Sequence, residues 1–159
     1  MMVMGADPGS SRTGYSILKE ENGNLILVDS GVFRPSRSAS LSQKLSFIYR
    51  GFLDLFRSYP LDSLAVEGVF YSRNFKSALR LGEVRGVIIL AAGEMGIPVF
   101  EYSPADVKLS VVGYGTATKE QVRYMVSQVL EEASCMSLDE SDATAVALCH
   151  ICRMRGVFC

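Results

Sequence analysis

A chain of 159 residues, 48% of them hydrophobic, has enough apolar material for one continuous core without disulfide or metal staples. Its 16 Lys and Arg against 17 Asp and Glu leave a formal charge of −1, which excludes a protein that coats nucleic acid by bulk electrostatics; any DNA contact must come from local patches. The longest purely apolar run, residues 87–92, is far too short to span a bilayer, and the segment after Met1 lacks the basic and apolar regions of a signal peptide. A single cytoplasmic domain over residues 1–159, with no membrane association, is therefore expected.

In chain order, residues 2–6, 14–19 and 25–34 are apolar or alternating runs between turn residues, as strands require. Asn22-Gly23 supplies the positive φ angles of a tight hairpin turn, so the second and third strands should pair directly. Leu41, Leu45, Ile48, Phe52 and Leu55 then recur at spacings of three and four, one face of a helix that Tyr59-Pro60 closes. Residues 64–70 read as a short strand, 74–94 as a long helix, and 97–102 as a strand after a stop at Gly96. Helical segments are expected at 104–112, 118–133 and 142–155. This order predicts an α/β fold with a five-stranded mixed sheet, three antiparallel strands then two parallel, flanked by helices on both faces.

Four carboxylates carry the chemistry. Asp7 closes the first apolar strand and opens Asp7-Pro8-Gly9-Ser10-Ser11-Arg12-Thr13-Gly14, where glycine permits close approach of a ligand. Asp-Pro-Gly is also ordinary turn chemistry. Glu67 interrupts an apolar run whose composition says buried strand; an uncompensated carboxylate there costs several kcal/mol, so a cation should meet it, either an Arg or a metal ion. Asp139 and Asp142, three apart, can share one side of the start of the last helix, although one of them could simply cap it. Convergent acids would repel one another unless divalent cations neutralised them, and an oxygen-only donor set selects magnesium or manganese. A pair of such ions suits in-line hydrolysis of a phosphodiester.

Basic residues form two groups, Arg73, Lys76, Arg80 and Arg85 in one and Lys108, Lys119 and Arg123 in the other. The four cysteines are read as reduced thiols, since no export signal accompanies them. Cys149 and Cys152 form a CxxC around His150, but structural zinc normally needs a second pair, and the plainer reading is small apolar residues on a helix. His150 itself is expected to be structural.

Several segments in order resemble the RuvC family of bacterial junction resolvases: Asp7-Pro8-Gly9-Ser10 with Thr13-Gly14-Tyr15, Glu67-Gly68-Val69-Phe70, Ser77-Ala78-Leu79-Arg80-Leu81-Gly82, Pro98-Val99-Phe100-Glu101-Tyr102 and Asp139-Glu140-Ser141-Asp142-Ala143. The resemblance covers nearly the whole chain. It implies a ribonuclease H-like fold and a homodimeric, magnesium-dependent endonuclease with about two Mg2+ per site, manganese being able to substitute. Such an enzyme nicks two like-polarity strands of a four-way DNA junction in recombination and repair, alongside a RuvA and RuvB branch-migration complex. It also implies catalytic, metal-holding roles for Asp7, Glu67, Asp139 and Asp142, and DNA contacts by Phe70, Lys108 and Lys119, although the two lysines could equally be solvated helix residues; Arg73 and Lys76, from the first basic group, are expected DNA contacts on charge alone. For Phe70, stacking on bases and burial in the core are both open. Gly68 stands where the family usually has a polar residue, often Gln, which puts sequence preference in doubt.

Three other readings share some of these features. Actin-like ATPases and sugar kinases also place an Asp and glycines after a first strand, but they need two such domains. A non-cutting scaffold for branched nucleic acid should have lost an acid. A ribonuclease H relative acting on RNA in hybrids is separated by comparing hybrid with junction cleavage.

Overall fold

The computed structural model describes residues 1–68, 75–130, 133 and 135–156. Five strands, β1 (Met2–Asp7), β2 (Thr13–Glu21), β3 (Asn24–Phe33), β4 (Ser63–Glu67) and β5 (Val99–Tyr102), form one sheet in the order β3-β2-β1-β4-β5. The β1–β2 and β2–β3 pairs are antiparallel, and β1–β4 and β4–β5 are parallel, as expected from the sequence. Asn22 and Gly23, with φ of 54° and 88°, make the tight β2–β3 turn.

The helices are α1 (Leu41–Ser58), α2 (Phe75–Glu94), α3 (Pro104–Val112), α4 (Lys119–Val129) and α5 (Leu138–Arg155). Alternation along β1 sends Val3 into one apolar cluster, with α3, α4 and α5, and Met4 and Ala6 into another, with α1 and α2. Because both faces are covered, β1 and β4 are nearly continuous apolar runs. Among the described residues no helix is long and apolar enough to cross a membrane.

Several boundaries differ from the sequence reading. Helix α4 stops at Val129 rather than residue 133, and α5 begins at Leu138, a turn before residue 142. A capping box explains the earlier start: the Ser137 side chain accepts from Glu140 N–H, and the Glu140 carboxylate accepts from Ser137 N–H. β4 ends at Glu67, and residues 69–70 of the expected strand lie outside the described residues.

The cysteines also need a correction. Cys135 and Cys149 are reduced thiols, as expected, but Cys152 is disulfide-bonded. Too few cysteines for a disulfide framework does not prevent a single pair from meeting. The Cys149 thiol donates to Ser110 Oγ at 3.2 Å, so the plainer reading of that residue, a small buried side chain on a helix, is the one observed.

His150 is buried and ties three elements together. Its Nε2 lies 2.9 Å from Ser63 Oγ at the start of β4, and its Nδ1 lies 2.7 Å from Tyr102 Oη at the end of β5. Burial holds the imidazole below its ordinary pKa of 6.5. A group whose folded pKa is depressed contributes stability above its unfolded pKa, and that contribution is lost as pH falls below about 6.5. His150→Phe keeps a ring but leaves both hydroxyls unpaired, so a loss of about 2 kcal/mol is expected, roughly 4–8 °C in Tm. Melting at pH 7.5 and pH 5.5 checks it: the deficit should be larger at pH 7.5, and an equal deficit at both values would exclude a neutral His150 in the folded state.

Candidate active site

The C-terminal ends of adjacent parallel strands β1 and β4 carry Asp7 and Glu67, so the register that pairs Ala6 with Val66 brings the two carboxyls side by side. Asp139 and Asp142 arrive from the first turns of α5. Two glycines allow that helix to lie directly on the strands. A Cβ at Gly14, which pairs with Asp7, would stand 2.1 Å from the Asp139 carbonyl oxygen, and one at Gly5 would stand 2.1 Å from that of Ala143 and 2.7 Å from Ala147 N. The glycines therefore admit a helix; the expectation that glycine beside Asp7 serves a ligand's approach is replaced, at Gly14, by helix packing.

The Ser137–Glu140 capping box means that neither Asp139 nor Asp142 is the cap, while Asp139 in the first turn still complements the helix dipole. Asp142 Oδ2 instead receives the Lys119 ammonium at 2.7 Å, and Asp139 faces Arg12 at 3.8 Å. Thr118 caps α4 and so fixes Lys119 on its first turn. Lys108, from α3, joins Glu67, Lys119 and Asp142 in lining a cleft of about 210 Å³.

The other three acids all act on Asp7. Burial, followed by Glu67, Asp142 and Asp139, pushes the Asp7 carboxyl from its ordinary 3.8 up to about 8, against the opposing pull of Lys119. Burial and Asp142 also raise Glu67, while Lys119, a hydrogen bond with Asp7 and Lys108 pull it back. The Lys119 ammonium offsets part of the negative charge at both acids.

As the side chains stand, among the described residues no three metal-binding side chains are gathered closely enough to enclose a cation. In kind the set nevertheless fits a hard divalent ion: every donor is a carboxylate oxygen, the acids repel one another, and a cationic ammonium is already held among them. Among the described residues, Lys119 and Lys108 rather than an arginine are the cations that pull on Glu67.

Other expected site residues fall differently. Phe70 and Arg73 lie outside the described residues. Lys76 is exposed on the first turn of α2, and Phe75 beside it is 82% exposed. Arg85 pairs with Glu101 of β5, and Arg123 donates to the Met136 carbonyl, so both serve the fold. Arg12 was not singled out from the sequence; its position in the loop after Asp7 was the available signal.

A family model described as crossover junction endodeoxyribonuclease RuvC matches residues 3–150. The chain belongs to the RuvC family. Among RuvC relatives, the crossover junction endodeoxyribonuclease RuvC of Geotalea uraniireducens is 43% identical over 150 residues, 94% of this chain and 88% of that protein. The one from Tolumonas auensis is 45% identical over 149 residues, 94% of this chain and 86% of that protein. A solved structure of Thermus thermophilus RuvC in complex with Holliday junction substrate superposes with a TM-score of 0.90 at 31% identity, over 98% of this chain and 96% of that one.

Proposed function

We propose that this chain is a Holliday junction resolving endodeoxyribonuclease that hydrolyses phosphodiesters at the Asp7, Glu67, Asp139 and Asp142 cluster. The observation that carries the reading is the coupling of these four acids at the strand ends, beside a cleft that also presents Lys108 and Lys119. Likeness to a RuvC solved with a Holliday junction supports the substrate. The four carboxylates would hold magnesium, about two ions per site, with manganese an acceptable substitute. When bound, such ions supply positive charge for the phosphoryl and leaving oxygens and lower the pKa of the attacking water.

The chain's own residues do the rest. Lys108 and Lys119 attract the backbone phosphate into the cleft, and Lys119 exchanges Asp142 for phosphate oxygen as DNA enters. Lys76, Phe70 and Arg73 extend the DNA surface. The expected setting is the bacterial cytoplasm, with RuvA and RuvB presenting the junction.

A homodimer gives the reaction its symmetry. One face of α2 carries Phe75, Leu79 and Leu90, which are 82%, 53% and 55% exposed, and Gly82, Gly86 and Gly93, whose absent side chains would meet nothing within 4 Å. These positions recur at helical spacing on one stripe, and close pairing of two such stripes would relate two active sites by a twofold axis. The double change Leu79→Glu with Leu90→Glu is expected to give a monomer by sedimentation and to replace paired nicks with rare single ones. A variant that still sediments as a dimer would place the interface elsewhere.

The function is tested by incubating the protein and magnesium with a synthetic mobile four-way junction, a linear duplex and an RNA–DNA hybrid. Paired symmetric nicks on the junction alone are expected. Tight junction binding without cleavage in either metal would instead make the protein a scaffold, and preferential cutting of the hybrid would make it a ribonuclease H.

A further inference from the structure

A second cation-lined cleft, of about 260 Å³, lies on the other side of the Asp7 loop, between Ser10 and Ser11, Lys44 and Leu45 of α1, and Arg80 of α2. We infer that this cleft is a second backbone-phosphate subsite, which grips the junction strand one or two phosphates from the bond being cut. The inference rests on the resolvase reading and adds a binding site to it.

The chemistry of the lining is that of a phosphate cradle. Ser10, Ser11, Lys44 and Arg80 line the space beside Leu41, Leu45 and Val84, and among the described residues no carboxylate lines it. Lys44 is half-buried, and its ammonium donates to a backbone carbonyl, that of Arg37, at 3.3 Å, a bond easily exchanged for a phosphate oxygen. Arg80 shares one guanidinium nitrogen with Glu83 at 3.0 Å, which orients the group and leaves other donors for a ligand. Helix α1 also has no acidic residue in its first turn, so its N-terminal partial charge is not offset there.

Position makes the ligand a polymer. Ser10 is three residues from Asp7, so its Cα lies within about 11 Å of that of the catalytic acid. The cleft with Lys108 and Lys119 belongs to the α3–α5 side of the sheet, and the cleft with Lys44 and Arg80 belongs to the α1–α2 side. Asp7 stands between them. A free anion would use one cleft; a sugar–phosphate strand lying across the sheet end uses both and is held on each side of the scissile bond.

The test uses the full chain carrying Lys44→Gln and Arg80→Gln, with Lys19→Gln as control. Lys19 pairs with Met2, at the opposite end of the sheet from Asp7. Junction Kd is measured across a salt series by fluorescence anisotropy in calcium, and cleavage by single turnover with saturating enzyme in magnesium. For the double variant, Kd should weaken about 10-fold or more near 0.1 M salt, and the salt slope should fall by about 2, since each neutralised phosphate contributes about 0.9. The saturated cleavage rate should stay within about twofold of wild type, and the control should match wild type throughout.

An unchanged Kd and salt slope would overturn the subsite, as would a lower cleavage rate with unchanged binding, which would mean that the cations act through the loop. Introducing Ser11→Asp alone should weaken binding in the same salt-dependent way; no effect from a charge set in the cleft would also count against it. If wild type binds but does not cut, the resolvase reading falls while the affinities still judge the cleft. Normal wild-type cutting beside an unaltered variant removes the cleft alone.

Discussion

Asp7→Asn is expected to abolish junction cleavage, by about a thousandfold or more, while making the metal-free protein more stable. The loss follows from the position of Asp7 between Glu67, Asp139 and Asp142, where one neutral amide removes a charged donor from the set. The gain follows from the cost of that charge. Folded, Asp7 keeps its proton to about pH 8; unfolded, it releases it near 3.8. The folded chain therefore binds more protons than the unfolded chain across that window, and its stability falls as pH rises from about 4 to 8. Asparagine lacks this penalty, so in EDTA at pH 8.5 a gain on the order of 1–3 kcal/mol, roughly 3–10 °C in Tm, is expected, shrinking towards pH 4. Residual cleavage near the wild-type rate would remove Asp7 from the catalytic set. An unchanged Tm at pH 8.5 would show that the carboxyl is not strained there.

Gly14→Ala should damage catalysis almost as severely without touching any charged group. Its new Cβ would stand 2.1 Å from the Asp139 carbonyl oxygen and 2.6 Å from the carbonyl carbon, so the start of α5 must lift away from the sheet. Overpacking of this kind costs about 1–3 kcal/mol, and a misplacement of about 1 Å in a catalytic group can lower a rate about 100-fold. Cleavage should therefore fall by about that factor, with junction affinity near wild type because Lys44, Lys108 and Lys119 are undisturbed. A folded Gly14→Ala protein with full activity would show that the exact seat of Asp139 does not matter.

Much of this arrangement was legible in the sequence because its signals are local. An acid ending an apolar strand, a glutamate breaking a buried one, and Asn-Gly between alternating runs each report on neighbouring residues, and the direct β2–β3 pairing and the antiparallel-then-parallel sheet were read from such signals. The start of α5 was missed although Ser137 and Glu140 stand at capping-box spacing; attention to the small residues after Asp142 placed the helix a turn too late. The role of Gly14 was misread for a different reason. A glycine beside a catalytic acid looks the same in sequence whether a ligand or a distant helix comes close, and only the tertiary contact with Asp139 distinguishes them. Arg12 likewise depends on a partner, Asp139, that no local pattern identifies.

The pairing of Lys119 with Asp142 bears on how such a nuclease stays idle. Until a phosphate competes for it, the ammonium keeps one of the acids engaged and gives the cluster a built-in counter-charge. Substrate that draws Lys119 away frees Asp142, so occupation of the cleft by DNA and the readiness of the acids are linked, and by reciprocity each strengthens the other. On the proposed reading, such a chain would restrain itself in the absence of its substrate, and entry of the DNA strand would lift the restraint.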